Sequence, residues 1–434
     1  MFGALLGLIV LKEPMGAMKI PGAGIIFAGI IRIELARRRR QAMMDVESLI
    51  NPHLRDMRPY VPIVPFEVLS RRLGRRPEEI VKLDANENPY GPSPRVCEAI
   101  ARADALHIYP DPDQTLLREA ISDYIGVPAE HILCGAGADE LIDLIARAFL
   151  QPGDAIVDLP PTFGMYRWEA DVMNATYLQV PRRADFSVDV PAVQRMVIGD
   201  GRSGDGPTIR NPHPPVPPRK LLFVTNPNNP DGSTIGDESL RALLALPLVV
   251  VLDEAYVDFS AQPSRVSWVR DHDNLIVLRT FSKLAGMAGL RVGYGVFPLP
   301  VIRHLWKIKQ PYTPNVAGSI AAIAALGDRS YLHQTVRALV AERQRMSELL
   351  SRFDWLRLFP SEANFVLCRV AETAPIPADE TAQPAARRLK HLLERRGVLV
   401  RYFDRDGLRD CIRISVGRPD QTDRLIEAIE GLVK

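Results

Sequence analysis

Two stretches decide the fold: Lys220-Leu-Leu-Phe-Val-Thr225 and Pro247-Leu-Val-Val-Val-Leu252, the latter running into Asp253-Glu254-Ala-Tyr256. Each is a continuous apolar run of strand length. A strand with no polar alternation has no face for water, so it suits a parallel sheet covered on both sides. Working outward, His131–Cys134, Asp154–Leu159, Asn274–Arg279 and Val292–Val296 read as further strands. Between them lie helical patterns at Val96–Ala105, Gln114–Ile125 and Asp139–Leu150. The first is introduced by Ser93 as cap and Pro94 in the first turn. Such alternation predicts an α/β fold with a mostly parallel, doubly wound sheet.

The last third reads differently. Helices are expected at Tyr331–Phe353, Ala385–Arg396 and Asp420–Leu432, and strands at Phe365–Arg369, Val398–Tyr402 and Cys411–Val416. That is a smaller α+β domain. The expected division is an N-terminal extension (1–44) that need not belong to the fold, an arm contributing to the small domain (45–95), a large domain (96–315) and a small C-terminal domain (316–434). Residues 198–218 interrupt the pattern with six prolines and four glycines. They can continue neither a helix nor a central strand, and read as a disordered surface insertion. No internal repeat is visible.

Composition excludes several classes. Of the 434 residues, 47% are hydrophobic and 24% charged, with a formal charge of +2, so no strong field argues for nucleic acid or an anionic membrane. The apolar runs 1–11 and 20–31 are each shorter than the roughly 20 residues needed to span a bilayer. The basic run Arg37–Arg40 is short and local. Cys97, Cys134, Cys368 and Cys411 have no metal-ligand spacing, so no metal site is expected, and free thiols suit a cytoplasmic protein.

Four clusters sit at strand ends, where open α/β sheets hold their ligands. Gly135-Ala-Gly137-Ala138-Asp139-Glu140 leads from a strand into a helix start, which is either a phosphate site or a tight turn capped by Asp139. Asn226-Pro-Asn-Asn229-Pro-Asp-Gly232 is a turn whose asparagine amide could donate to a ligand. Asp253 ends a buried strand and needs a cationic partner or a proton. An apolar strand ending in acids also describes the magnesium-binding acid of a P-loop nucleotide-binding protein, but the chain holds no G-x-x-x-x-G-K-[ST]. Thr280-Phe-Ser282-Lys283 supplies a candidate amine beside hydroxyls, and Arg291 offers a planar fork to phosphate oxygens.

At this point the sequence resembles the fold type I pyridoxal-phosphate-dependent aminotransferases, and among them the histidinol-phosphate branch. The resemblance runs from about Asp45 to the C-terminus. It rests on motifs in order: Asp84-Ala-Asn86-Glu87-Asn88-Pro89-Tyr-Gly91, Tyr109-Pro110, Gly137-Ala-Asp-Glu140, Pro161-Thr-Phe163-Gly-Met-Tyr166, Asn229-Pro-Asp-Gly232, Asp253-Glu-Ala-Tyr256, Ser282-Lys283 with Arg291, and Arg413-Ile-Ser-Val-Gly417.

The resemblance implies roles. Lys283 would hold pyridoxal 5'-phosphate, and once freed act as the base that moves the Cα proton. Asp253 would pair with the ring nitrogen. Tyr256 and Asn229 would face the ring's phenolate oxygen, and Phe163 would stack on the ring. Thr280, Ser282, Arg291 and the backbone of Ala138 and Asp139 would bind the cofactor phosphate. Tyr109 would reach the cofactor phosphate of a neighbouring subunit, implying a homodimer. Arg413 would clamp the substrate's anionic group, with Arg401 and Asn88 as further substrate-binding candidates. The implied reaction is transamination of histidinol phosphate with 2-oxoglutarate, in histidine biosynthesis. The alternatives are an aromatic or other amino-acid aminotransferase and a threonine-phosphate-type decarboxylase on the same scaffold. One departure is Asp231, where the family more often has threonine.

Overall fold

The computed structural model describes residues 28–35, 46–60, 66–199, 218–377 and 383–433. The Pro- and Gly-rich insertion lies almost wholly outside the described residues, as does most of the N-terminal extension. The chain forms two compact units, Met1–Arg58 and Pro59–Lys434. In the first, a helix spans 28–35 and short turns follow at Val46–Leu49 and Pro52–Arg55; none of its described residues is buried.

The second unit contains twelve strands among the described residues: β1 (Val81–Leu83), β2 (Ile132–Gly135), β3 (Ala155–Asp158), β4 (Thr176–Gln179), β5 (Arg219–Thr225), β6 (Val249–Asp253), β7 (Leu275–Thr280), β8 (Gly293–Val296), β9 (Leu356–Leu358), β10 (Phe365–Val370), β11 (Val398–Tyr402) and β12 (Cys411–Ser415). Seven of them form one sheet in the order β2-β8-β7-β6-β5-β3-β4. Pairing is parallel from β4 through β3, β5 and β6 to β7; β8 runs antiparallel to both β7 and β2.

The apolar runs behave as their composition requires. Leu221–Val224 and Val250–Leu252 are buried on both faces, which belong to two different apolar clusters. One face packs Leu222, Val224, Val250 and Leu252 against the helices Thr115–Ile125, Asp237–Leu244 and Val316–Leu326. The other packs Leu221, Phe223 and Val251 against the helices Ala138–Phe149, Met165–Val172 and Leu299–Ile308. Burying one such side chain stabilises the fold by about 1.5–3 kcal/mol. These central strands therefore hold their carboxyl ends rigidly in place.

The remaining five strands form a second sheet, β1-β11-β12-β10-β9, antiparallel except for the β1–β11 pair. Its apolar face packs on the helices Arg329–Leu350, Ala385–Arg395 and Pro419–Val433. β1, ahead of the large sheet in sequence, is an element the apolar pattern missed. It joins the segment that carries Asn86 and Asn88 to this second sheet.

Candidate functional site

The carboxyl ends of β5, β6 and β7 bring the turn Asn226–Gly232, Asp253 and Lys283 to one edge of the large sheet, because all three strands run the same way. β7 passes straight into a short helix, Phe281–Leu284, with the Thr280 hydroxyl accepting from the Ser282 N–H at 3.1 Å. That cap points Lys283 back toward the second sheet, where Nζ donates to the Ala85 carbonyl at 3.2 Å. Burial, reinforced by the nearby charge of Arg413, lowers the Lys283 ammonium to about 8. A substantial neutral fraction near neutral pH is what a nucleophilic amine requires.

Asp253 is 3% exposed. Its Oδ2 accepts from the Tyr166 phenol at 2.7 Å and its Oδ1 from the Ala255 N–H at 3.0 Å. Burial pushes the carboxyl up, and the Tyr166 hydrogen bond pulls it back. Its hydrogen-bond partners are neutral donors, so this strand-end acid still lacks the cation that would stabilise it.

The helix Ala138–Phe149 starts at Gly137, whose φ of +81° and ψ of 173° lie in a region open only to glycine. A Cβ there would stand 2.4 Å from Arg291 Nη2. Arg291 therefore lies directly over the free N–H groups of the helix start, and donates to Asp139 Oδ2 at 2.8 Å. Thr280 pairs with Gly293, where a Cβ would stand 2.5 Å from the Ala138 nitrogen, so this strand end borders the helix start, a setting suited to a phosphate.

From the second sheet, Arg413 on β12 reaches the same edge. It is 5% exposed and donates to Asn229 Oδ1 at 2.6 Å and to the Asp84 carbonyl at 2.8 Å, while its Nε has no partner. Arg401 stands directly opposite it on β11. Burial, with Arg401 adding to it, lowers the Arg413 guanidinium to about 10. The ring of Phe403 lies 5.5 Å from the Arg413 guanidinium and 5.7 Å from that of Arg401. Like charges directly opposite in a sheet repel. An anion between them would remove that penalty.

Most of the chain matches known proteins. Residues 78–429 match the family model for aminotransferase class I and II. The chain belongs to the class I and II aminotransferase family. It is 47% identical over 406 residues to a chloroplastic histidinol-phosphate aminotransferase of Nicotiana plumbaginifolia, covering 94% of this chain and 92% of the relative. It is 47% identical over 391 residues to a histidinol-phosphate aminotransferase of Roseiflexus castenholzii, covering 89% and 98%. Among solved structures it resembles a histidinol-phosphate aminotransferase from Sinorhizobium meliloti, crystallised with pyridoxal-5'-phosphate. That match has a TM-score of 0.75 at 27% identity, covering 88% of this chain and 97% of the other.

Several residues of this aminotransferase carry parts that sequence reasoning did not assign. Asn86, 1% exposed, adopts φ +54°, donates to the Tyr256 phenol at 3.0 Å and accepts from the Ser415 hydroxyl at 3.0 Å. It ties the arm to both sheets and fixes Tyr256, whose hydroxyl burial holds well in its neutral form. Tyr166 stacks on Phe223 at 4.4 Å and meets Phe163 edge to face at 5.7 Å. Both residues stood inside quoted motifs, but nothing in spacing says whom they touch. Tyr60, half exposed, lies close enough to Arg413 and Tyr256 to act on them electrostatically.

Two candidates sit differently from the rest. Asn88 places its amide on the Leu284 carbonyl at 3.2 Å and accepts from the Tyr90 N–H at 3.0 Å, bracing the residue after Lys283. Tyr109 is 76% exposed and stacks on Tyr312 at 4.2 Å, with no ring contact to Lys283 or Asp253 among the described residues. Asp231 does not add a free charge to the site: its carboxylate turns back onto the Asn228 amide and the Ser233 N–H, the latter at 2.8 Å.

Among the described residues no group of acids, histidines and cysteines is arranged to hold a metal ion, and no helix is long and apolar enough to cross a membrane.

Proposed function

We propose that this aminotransferase binds pyridoxal 5'-phosphate on Lys283 and transfers the amino group of histidinol phosphate to 2-oxoglutarate. The observation that carries the substrate is the arginine pair. Two guanidinium groups face each other across β11 and β12, one of them buried with an unpartnered Nε. A single carboxylate needs one bidentate arginine; a terminal phosphate has the charge and the oxygens for both.

The residues fit the cofactor. Asp253 is a buried carboxylate lacking a cation, which a protonated ring nitrogen would supply. Gly137, with no Cβ, lets the Arg291 guanidinium come down onto the helix start, where it and the free N–H groups would hold a phosphate together. When bound, the cofactor supplies an aldehyde carbon that takes the amino group and a ring that takes up the electron pair left at the substrate's Cα.

The chain's own residues do the rest. Lys283 would hold the cofactor, and its Nζ, when freed and neutral, would be the base that moves the substrate's Cα proton. Asp253, oriented by the Tyr166 phenol, would keep the ring nitrogen protonated. Tyr256 and Asn229 would hold the ring oxygen, and Phe163 would cover one ring face. Arg413 and Arg401 would together hold the phosphate of histidinol phosphate in one half of the cycle, and Arg413 alone would take the α-carboxylate of glutamate or 2-oxoglutarate in the other.

For the architecture, we assign the large domain to 96–326 rather than 96–315, since the helix Val316–Leu326 packs on the large sheet, and the remainder to 434 with part of 45–95 to the small one, since β1 pairs with β11. A homodimer is supported by exposed Leu106, Ile108, Tyr109 and Tyr312, which form an apolar strip that a second copy would cover. Three buried, unpaired cysteines and one exposed suit a reducing, cytoplasmic setting. Steady-state kinetics with 2-oxoglutarate as acceptor tests the substrate: kcat/KM is expected to be highest for histidinol phosphate, and a higher value for phenylalanine or tyrosine would move the assignment to an aromatic amino-acid aminotransferase.

A further inference from the structure

Asp253 is one end of a buried hydrogen-bonded chain, and Asp231 is the other. From Asp253 Oδ2 the chain runs to the Tyr166 phenol at 2.7 Å, to Thr225 Oγ1 at 2.9 Å, to Thr162 Oγ1 at 3.1 Å and to Asn228 Oδ1 at 3.0 Å. The Asn228 amide nitrogen then donates to the Pro161 carbonyl at 3.0 Å and to Asp231 Oδ1. Every member except Asp231's neighbours at the turn surface is buried: Thr162, Tyr166, Thr225, Asn228, Asp231 and Asp253 are all at most 8% exposed. Arg182, 8% exposed, stands close enough to stabilise the Asp231 carboxylate and keeps one guanidinium nitrogen unpartnered.

The donors along this chain do not suffice for its links. Tyr166, Thr225 and Thr162 bring three hydroxyl protons to four oxygen–oxygen contacts. The far end decides which contact goes short. Asp231 and the Pro161 carbonyl are acceptors only, so they fix the Asn228 amide with its nitrogen toward them and its oxygen toward Thr162. Thr162 must then donate to Asn228. Thr162's oxygen in turn draws the Thr225 proton, and Thr225's oxygen competes with Asp253 for the proton of Tyr166. The more firmly Asp231 anchors the far end, the less of the Tyr166 proton Asp253 receives, and the more basic Asp253 stays. A chain of hydrogen bonds polarises in one direction in this way.

We propose that Asp231 is a positioning residue that acts through Asn228, Thr162, Thr225 and Tyr166 to keep Asp253 basic, so that Asp253 holds the cofactor's ring nitrogen protonated. Burial pushes the Asp231 carboxyl up, and the Arg182 guanidinium opposes this by favouring the carboxylate. The inference rests on the assignment of Asp253 to the ring nitrogen under the proposed function.

The test is a double-mutant cycle read on the cofactor itself. The protein is reconstituted with pyridoxal phosphate carrying 15N in the ring, and the nitrogen resonance and the cofactor dissociation constant are measured for wild type, Asp231→Asn, Thr162→Val and the double variant. Asp231→Asn keeps the shape and removes the charge. It is expected to move the resonance toward the unprotonated form and to weaken cofactor binding about two- to tenfold, the size of one altered hydrogen bond. Thr162→Val cuts the chain in the middle, so the double variant should match Thr162→Val alone, because Asp231 can no longer reach Asp253. Independent, additive shifts, or an unmoved resonance in Asp231→Asn, would overturn the proposal. If Asp231→Asn does not fold, Asp231→Thr is read in the same cycle. A wild-type resonance that Asp253→Asn leaves unchanged would instead overturn the assignment of Asp253, and this inference with it.

Discussion

Replacing Arg401 by alanine separates the phosphate-binding role of the arginine pair from its structural role. Arg401 and Arg413 are direct cross-strand neighbours, and each guanidinium lies near the ring of Phe403. Without an anion between them the pair is repulsive, by roughly 0.2–1 kcal/mol for like charges facing across a sheet. Arg401→Ala should therefore leave the melting temperature unchanged or slightly raised, and a loss of activity cannot be put down to unfolding. A hydrogen bond to a charged group contributes about 1.5–3 kcal/mol, so kcat/KM for histidinol phosphate should fall roughly 10- to 150-fold. Phenylalanine has a carboxylate, which Arg413 binds alone, and should lose no more than about threefold. Steady-state kinetics on both donors with the same enzyme preparation gives the two ratios. Equal losses on the two donors would refute the reasoning, as would a large drop in melting temperature.

Three further outcomes follow from the same geometry. In cofactor-free protein the Lys283 amine must be neutral to react, so the rate of cofactor uptake should rise with pH with a midpoint near about 8; a midpoint close to that of an ordinary lysine would contradict the burial of this amine beside Arg413. Gly137→Ala puts a Cβ 2.4 Å from Arg291 Nη2 in a backbone conformation that costs alanine about 1–3 kcal/mol, and equilibrium dialysis should show cofactor affinity reduced by at least roughly tenfold with the fold kept. A chain starting at Met43 should keep full activity and the same sedimentation coefficient per subunit assembly, since no described residue of 28–35 is buried; loss of either would make the N-terminal segment part of the enzyme.

The sequence displayed those parts of the fold that depend on local pattern. β5, β6 and β7 were legible because a strand covered on both faces must be apolar throughout, and the helix starting at Pro94 because its cap and first-turn proline are adjacent. β4 was not, because an edge strand reading Thr-Tyr-Leu-Gln buries neither face fully. β1 has three residues and gains its meaning only by pairing with Val398–Val400, more than 300 positions away. The direction of β8 was equally hidden, since periodicity carries no sense of strand polarity.

The site divides along the same line. Lys283, Asp253, Arg291 and Asn229 were legible as candidates because strand ends and glycine turns mark where a ligand can approach. Asn86 and Tyr166 were not singled out, because their importance lies in hydrogen bonds to residues 170 and 87 positions distant, Tyr256 and Asp253. Asp231 was noticed only as an oddity. The fold turns it from a stray charge near the site into the buried end of a chain leading to it.

The most direct measurement of the central claim is borohydride reduction of the cofactor-loaded protein followed by peptide mapping. Reduced alone, the protein should carry the cofactor on the peptide that contains Lys283. If histidinol phosphate is added first, the amino group passes to the cofactor, Lys283 is released and the label on that peptide should disappear; adding 2-oxoglutarate before reduction should restore it. A label on another lysine, or a Lys283 label that histidinol phosphate leaves in place, would contradict the account.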